Sequence, residues 1–328
     1  LSRLSHVLDL APVDREVVTR SVAAAHEVVR SCRFDGRGWL RTPDAPTRER
    51  LARRAEELGL VDREGGERRE RARTAQHTGE EIDGAAERVT TTALQLQSGR
   101  HLAPRSHYLV AELTPDGVPL EPSYEEQGWS STGLTVTAWD EADTCALEYA
   151  MPDGVGTGEP PVTSGTVSHD ASGVLTATMR IRLPGRFPRW RTASGTLTVD
   201  TGAWYAALDG AAAEPPVRLS ATHALANVEA WLSPTVRDDG RWEVSAVLDV
   251  RGRGLIARPL VALVVWAVRG SFRREARRER RGHTTEVVSP RERLDRFRGS
   301  WDRAASTAGR LPDYLRDVAQ AMAEAPGD

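Results

Sequence analysis

VLTATMRIRL, residues 174–183, sets Leu175, Ala177, Met179, Ile181 and Leu183 on one side and Thr176, Thr178, Arg180 and Arg182 on the other. This period-two alternation marks a strand with one face buried and the other in water. Shorter runs of the same kind occupy 107–113, 133–139, 144–151, 192–200, 219–231 and 242–251. Turn residues separate them: Pro115-Asp116-Gly117, Asp153-Gly154, the stretch 170–173 and Asp238-Asp239-Gly240. No segment between them is long enough for a helical crossover, so the strands pair antiparallel, in a sheet or barrel of about seven strands.

Both ends of the chain follow a helical period. Asp14 stands ahead of Val17, Val18, Val22, Ala25, Val28, Val29 and Cys32, a capped helix with one apolar face. A second runs from Pro46 to Gly59, with Leu51, Ala55 and Leu58 inward and Thr47 as its expected N-cap. Residues 66–98 are charged and weakly apolar, and read as a long exposed helix or as a hairpin followed by a helix. Beyond the last strand, helices are expected over 260–281, over 290–308 with Leu294, Phe297, Trp301 and Ala305 inward, and from Pro312 onward. The expectation is an α+β chain, with a helical region at 1–104 followed by the sheet and its C-terminal helices at 105–328.

Composition narrows the function classes. The formal net charge is -3 and the pI near 6.3, which argues against a chain given over as a whole to nucleic acid. The sequence contains no lysine and a single asparagine, Asn227, the bias of a GC-rich genome. Arginine clusters therefore carry less information than usual. Cys32 and Cys145 lie far apart and suit reduced thiols better than a disulfide framework. The N-terminus shows no signal-peptide pattern, and the most apolar window, 260–268, is well short of the roughly 20 residues a spanning helix needs. A cytoplasmic protein is expected.

No GxSxG, HExxH or P-loop pattern occurs, and His101, His107 and His169 lack metal-ligand spacing, so no metal or cofactor is expected. Read as one strand, 219–231 puts His223, Asn227 and Glu229 on one face. If that face lines a cavity, His223 is a candidate proton carrier near neutral pH, with Glu229 as its partner and Asn227 orienting. The alternative is an outward face, or a histidine that is simply satisfied.

The run Trp242-Glu243-Val244, the turn-rich 249–254 and then Arg258-Pro259-Leu260 resemble the end of a START-like, helix-grip protein of the polyketide cyclase and lipid-transfer superfamily. The resemblance covers about forty residues. It implies a C-terminal helix gripped by a curved antiparallel sheet, with a small apolar molecule held between them. If the chain also transforms that molecule, it implies acid-base chemistry of a cyclase type without metal or nucleotide cofactor. Met179, Ile181, Trp231, Trp242 and Val244 are the expected lining.

Two other readings stay open. The stretch 58–73 faintly resembles the end of a winged-helix reader, so 47–73 would make a DNA-binding regulator, although its glutamates offset most of its arginines. The stretch 255–281 couples an apolar half to seven arginines, and would suit a membrane surface or a partner through Leu260, Trp266, Arg273, Arg274 and Arg277. Because 260–268 is apolar all round, burial against a sheet is the preferred reading of its start.

Overall fold

Alternating strands extend well beyond the stretch that reveals them. The computed structural model describes residues 2–61, 91–113, 131–152, 162–182, 190–211, 214–253 and 290–326. Eleven strands form one antiparallel sheet: β1 (Ser2–Leu10), β2 (Thr91–Ser98), β3 (His107–Leu113), β4 (Ser131–Trp139), β5 (Thr144–Pro152), β6 (Val162–Asp170), β7 (Val174–Arg182), β8 (Thr192–Asp200), β9 (Val217–His223), β10 (Ala226–Val236) and β11 (Trp242–Gly252). Their order is β1-β11-β10-β9-β8-β7-β6-β5-β4-β3-β2. Strands β2 to β11 are thus a meander, and the first strand of the chain joins beside the last.

The expected seven strands are corrected to eleven. Two of the additions, β1 and β2, come from the part expected to be helical. In β1, Leu4, Leu8 and Leu10 alternate with Arg3, Ser5, Val7 and Asp9; in β2, Leu94 and Leu96 alternate with Gln95 and Gln97. One sheet therefore takes strands from both sides of residue 104. The third, β6, presents only Val167 as a large inward aliphatic, between Gly165 and His169, which leaves its alternation faint. The fourth arises because 219–231 is two strands, joined at 224–225.

Five helices accompany the sheet among the described residues: α1 (Arg15–Ser31), α2 (Ala45–Glu57), α3 (Thr201–Leu208), α4 (Pro290–Thr307) and α5 (Leu311–Ala323). Asp14 caps α1 by accepting from the Glu16 N–H. Asp44, not Thr47, caps α2, accepting from the Thr47 N–H at 2.9 Å. The helix expected at 260–281 lies outside the described residues, as does 66–90 of the stretch 66–98.

Helix α1 ties the halves of the sheet together. The Val13 carbonyl just before it accepts from the Tyr205 hydroxyl of α3 at 2.9 Å, and the Val29 carbonyl bonds His101, just ahead of β3, at 2.9 Å. Between them the His26 ring meets Trp139 of β4 and His169 of β6, at centroid distances of 5.8 and 5.9 Å. A helix of 17 residues is about 26 Å long, whereas eleven strands laid flat span about 48 Å. The elements α1 meets, from α3 after β8 to the segment ahead of β3, are five strand spacings apart, about 24 Å, which the helix spans. The outer edge of β2 is partly covered by the chain around Trp39, which bridges to Gln95. There the backbone approaches so closely that Gly38, at φ +83, has no room for a Cβ: it would lie 2.2 Å from the Leu96 carbonyl oxygen.

The core is densest where β1 joins β11. Leu10 pairs with Trp242 and Leu8 with Val244, and Val244 is fully buried. The Trp242 ring meets Trp204 and Tyr205 of α3 edge-on and Trp301 of α4 at a tilt, with centroids 5.7, 6.1 and 6.4 Å away. Polar bonds close the same corner. Trp301 Nε1 donates to the Ala11 carbonyl at 2.8 Å, and the Ala11 N–H donates to Asp302 at 2.9 Å. Arg241 joins Asp9 at 2.6 Å to Asp302 at 3.0 Å.

Two outcomes are expected. Trp242→Ala removes the ring shared by β11, α3 and α4 and should lower unfolding stability by about 3–5 kcal/mol in urea titration, with β1 amides losing hydrogen-exchange protection first. The Arg241 hydrogen bond holds the Asp9 carboxyl below its ordinary 3.8. Its contribution is therefore complete above that value and lost as pH falls through the lower native one. Asp9→Asn should flatten this acid limb of the stability profile.

Candidate functional site

Register places the side chains of the sheet into rows. On the inner face Leu4, Leu248 and Ala230 form one row across β1, β11 and β10, and His6, Ala246 and Leu232 form the next. The two alanines are short among leucines and leave a depression. Leu294 of α4 borders it, and the groove encloses about 590 Å³. That volume lies within the range of small-molecule sites. His6 and the backbone of β1 at Arg3 and Ser5 supply its polar rim. Further along the same face Leu219, Met179 and Val167 are 39%, 46% and 37% exposed, so the apolar surface continues across β9, β7 and β6.

The expected site residues are dispersed. The turn at 224–225 reverses the chain and its parity, so His223 points inward beside Ala193, whereas Asn227, Glu229 and Trp231 lie on the outer face. The grouping of His223 with Asn227 and Glu229 on one face is therefore corrected. His223 Nε2 lies 3.1 Å from the Trp190 carbonyl, and Nδ1 accepts from the Leu225 N–H at 3.3 Å. Glu229 pairs with Arg251 at 3.5 Å, and the buried Asn227 Oδ1 has no hydrogen-bond partner.

The expected lining is corrected in the same way. Trp242 and Val244 are core, 5% and 0% exposed, with no space beside them for a ligand. Trp231 lies outside, beneath the Arg3 guanidinium at 5.3 Å from its ring centroid. Met179 and Ile181 share the inner face, several strands from the groove. The groove residues Leu4, Ala230, Leu232, Ala246 and Leu248 were absent from the expected lining. Their signal was the alternation in 2–10 and the parity of 226–236. That parity is readable only once the turn at 224–225, which contains neither glycine nor proline, is known.

The titratable groups near α1 are structural. Glu141 is shared by Arg30 at 3.4 Å and His26 at 3.8 Å, and among the described residues no cluster of His, Cys, Asp and Glu suits a metal ion. Burial pushes the thiols of Cys32 and Cys145 up, away from the thiolate a nucleophile needs. His101 sits in a chain of bonds: the Leu102 N–H donates to the Tyr108 hydroxyl at 2.8 Å, and that hydroxyl lies 2.8 Å from His101 Nδ1. With Tyr108 donating to Nδ1, Nε2 carries the proton and donates to Val29. A second ring proton would oppose the tyrosine proton, and burial likewise holds His101 below its ordinary 6.5.

Comparison with protein-family models, with curated proteins and with solved structures finds no match to this chain. Its function is accordingly argued from the groove and the two sheet faces. Among the described residues no helix is long and apolar enough to cross a membrane. Leu260, Trp266, Arg273, Arg274 and Arg277 lie outside the described residues, as does 62–73 of the stretch compared with a winged helix.

Below pH 6.5 the unfolded chain protonates the His101 position before the native protein does, so stability should fall as pH drops toward the lowered native value and then level off. Between about pH 7.5 and about pH 5.5 the urea midpoint of the wild type should fall further than that of His101→Leu, the other histidines being common to both.

Proposed function

We propose that the chain binds a small apolar molecule in the groove between β1, β11, β10 and α4. The observation that carries this reading is the space of about 590 Å³ bordered by Leu4, Leu232, Leu248 and Leu294 above the two alanines. Apolar surface of this kind contributes roughly 25 cal/mol for each Å² removed from water, so a ligand without polar groups gains from filling it. The exposed residues Leu219 and Met179 extend the same face and give a longer ligand somewhere to lie. His6 at the rim suits a polar end that stays near water.

The helix-grip resemblance enters here as the idea of an apolar molecule held between a sheet and a C-terminal helix. The helix that borders the groove is α4. Among the described residues no acid-base pair faces the groove, and the proposal is of binding.

The test uses the neutral dye N-phenyl-1-naphthylamine, whose fluorescence rises in apolar surroundings. The wild-type chain should bind it, and Ala230→Phe with Ala246→Phe should weaken binding at least about tenfold, or about 1.4 kcal/mol, without lowering the melting temperature. Equal binding by the wild type and the filled variant would sink the proposal. Mass spectrometry of organic extracts from the purified wild type should then identify the molecule carried.

A further inference from the structure

The outer face of the sheet is built differently from the inner one. Across β6, β7, β8 and β9, Thr166, Thr178, Thr196 and Ser220 form one row of hydroxyls. The next row is Ser164, Arg180, Ser194 and Thr222. Together they line a depression of about 320 Å³. A second one, of about 570 Å³, adjoins it through the shared residues Thr196 and Ser220 and leads to Trp231.

Most of these hydroxyls are uncommitted. Thr166 and Thr178 bond each other at 2.8 Å, while among the described residues Ser164, Ser194, Thr196, Ser220 and Thr222 make no side-chain hydrogen bond. Each hydroxyl both donates and accepts. They stand on a grid set by the sheet, about 4.8 Å between strands and about 6.8 Å between alternate residues of one strand.

The charges of this face cancel. Arg218 pairs with Glu214, Arg251 with Glu229 at 3.5 Å and Arg3 with Asp249 at 4.0 Å, while Arg180 stands within the second row, between Ser164 and Ser194, and Glu148 ends the first row beside Thr166. Three of these arginines meet a carboxylate, and with Arg180 and Glu148 the formal charges of the eight residues sum to zero. A phosphate chain or a nucleic acid finds no excess of positive charge here, and a cation finds no excess of negative charge. What the face offers is a grid of donors and acceptors with no net charge, with the Trp231 indole, one face of which lies beneath Arg3, at one end.

We propose that this outer face binds a neutral, polyhydroxylated chain, an oligosaccharide lying across β6 to β9 toward Trp231. Its hydroxyls exchange hydrogen bonds with Ser164, Ser194, Thr196, Ser220 and Thr222, and the charged pairs remain intact. The site is separate from the apolar groove, which opens on the opposite face, so either can exist without the other.

The full chain is titrated calorimetrically with cellohexaose and with maltohexaose, and saturation-transfer NMR reads contact with the protein. At least one hexasaccharide should bind. The variant Ser194→Ala, Thr196→Val, Thr222→Val removes three hydroxyls at near-constant shape on strand positions that suit valine. It should weaken that binding at least about tenfold while the melting temperature and naphthylamine binding stay as in the wild type. Absence of binding by both sugars to the wild type, an unchanged affinity in a folded variant, or displacement of the sugar by inorganic polyphosphate would each overturn the proposal.

Discussion

The pairing of β1 with β11 is the constraint on which the rest depends. It joins the first strand to the last, and without it the sheet would be a plain meander. Nine residue pairs hold the two strands in register, but backbone bonds alone leave a sheet edge easily frayed. Trp242 gives the junction its permanence, because α3 and α4 both pack on its ring. The Ala11 backbone, bonded at both its N–H and its carbonyl by Asp302 and Trp301, fixes where the chain leaves β1. From that point α1 runs from the Tyr205 hydroxyl to His101, across the strands between them.

The two faces of the sheet differ in chemistry. The inner face is apolar along nearly every strand and, among the described residues, is covered by helices at one end, near Trp242, Trp139 and His169. Toward the other end it opens into the groove beside Leu294 and a partly exposed apolar surface. The outer face answers with serine, threonine and balanced charge. A sheet that only had to be soluble on its outside could scatter charges there. This one sets its hydroxyls in rows and pairs its ions.

Much of the fold was legible in the sequence. The strands at 107–113 and 192–200 fall where their alternation puts them, because each carries a clear apolar side. The helix behind Asp14 likewise follows from its valine spacing and cap. Elsewhere the signal was present but faint or overruled. Strand β1 is a short alternating run at a chain end, where a lone strand has no partner to give it meaning. Strand β2 adjoins a charged, alanine-rich stretch whose composition pulls the reading toward helix. In β6 glycine and threonine stand where large aliphatics usually mark the buried face, and the ring of Tyr149, whose hydroxyl bonds the Thr178 carbonyl, lies against Gly165.

By itself the sequence determined the antiparallel character of the sheet, the helices behind Asp14 and Pro290, and the absence of a cofactor motif, since these depend on local periodicity and spacing. Tertiary structure alone decided which residues share a face. A single turn at 224–225 inverts the parity of everything after it, sending Asn227, Glu229 and Trp231 outward and Ala230 and Leu232 into the groove. It also decided that Trp242 and Val244 are core: both alternate as a cavity wall would, and only the arrival of β1, α3 and α4 fills the space before them. Periodicity specifies a side of a strand, while occupancy of that side is settled by elements distant in the chain.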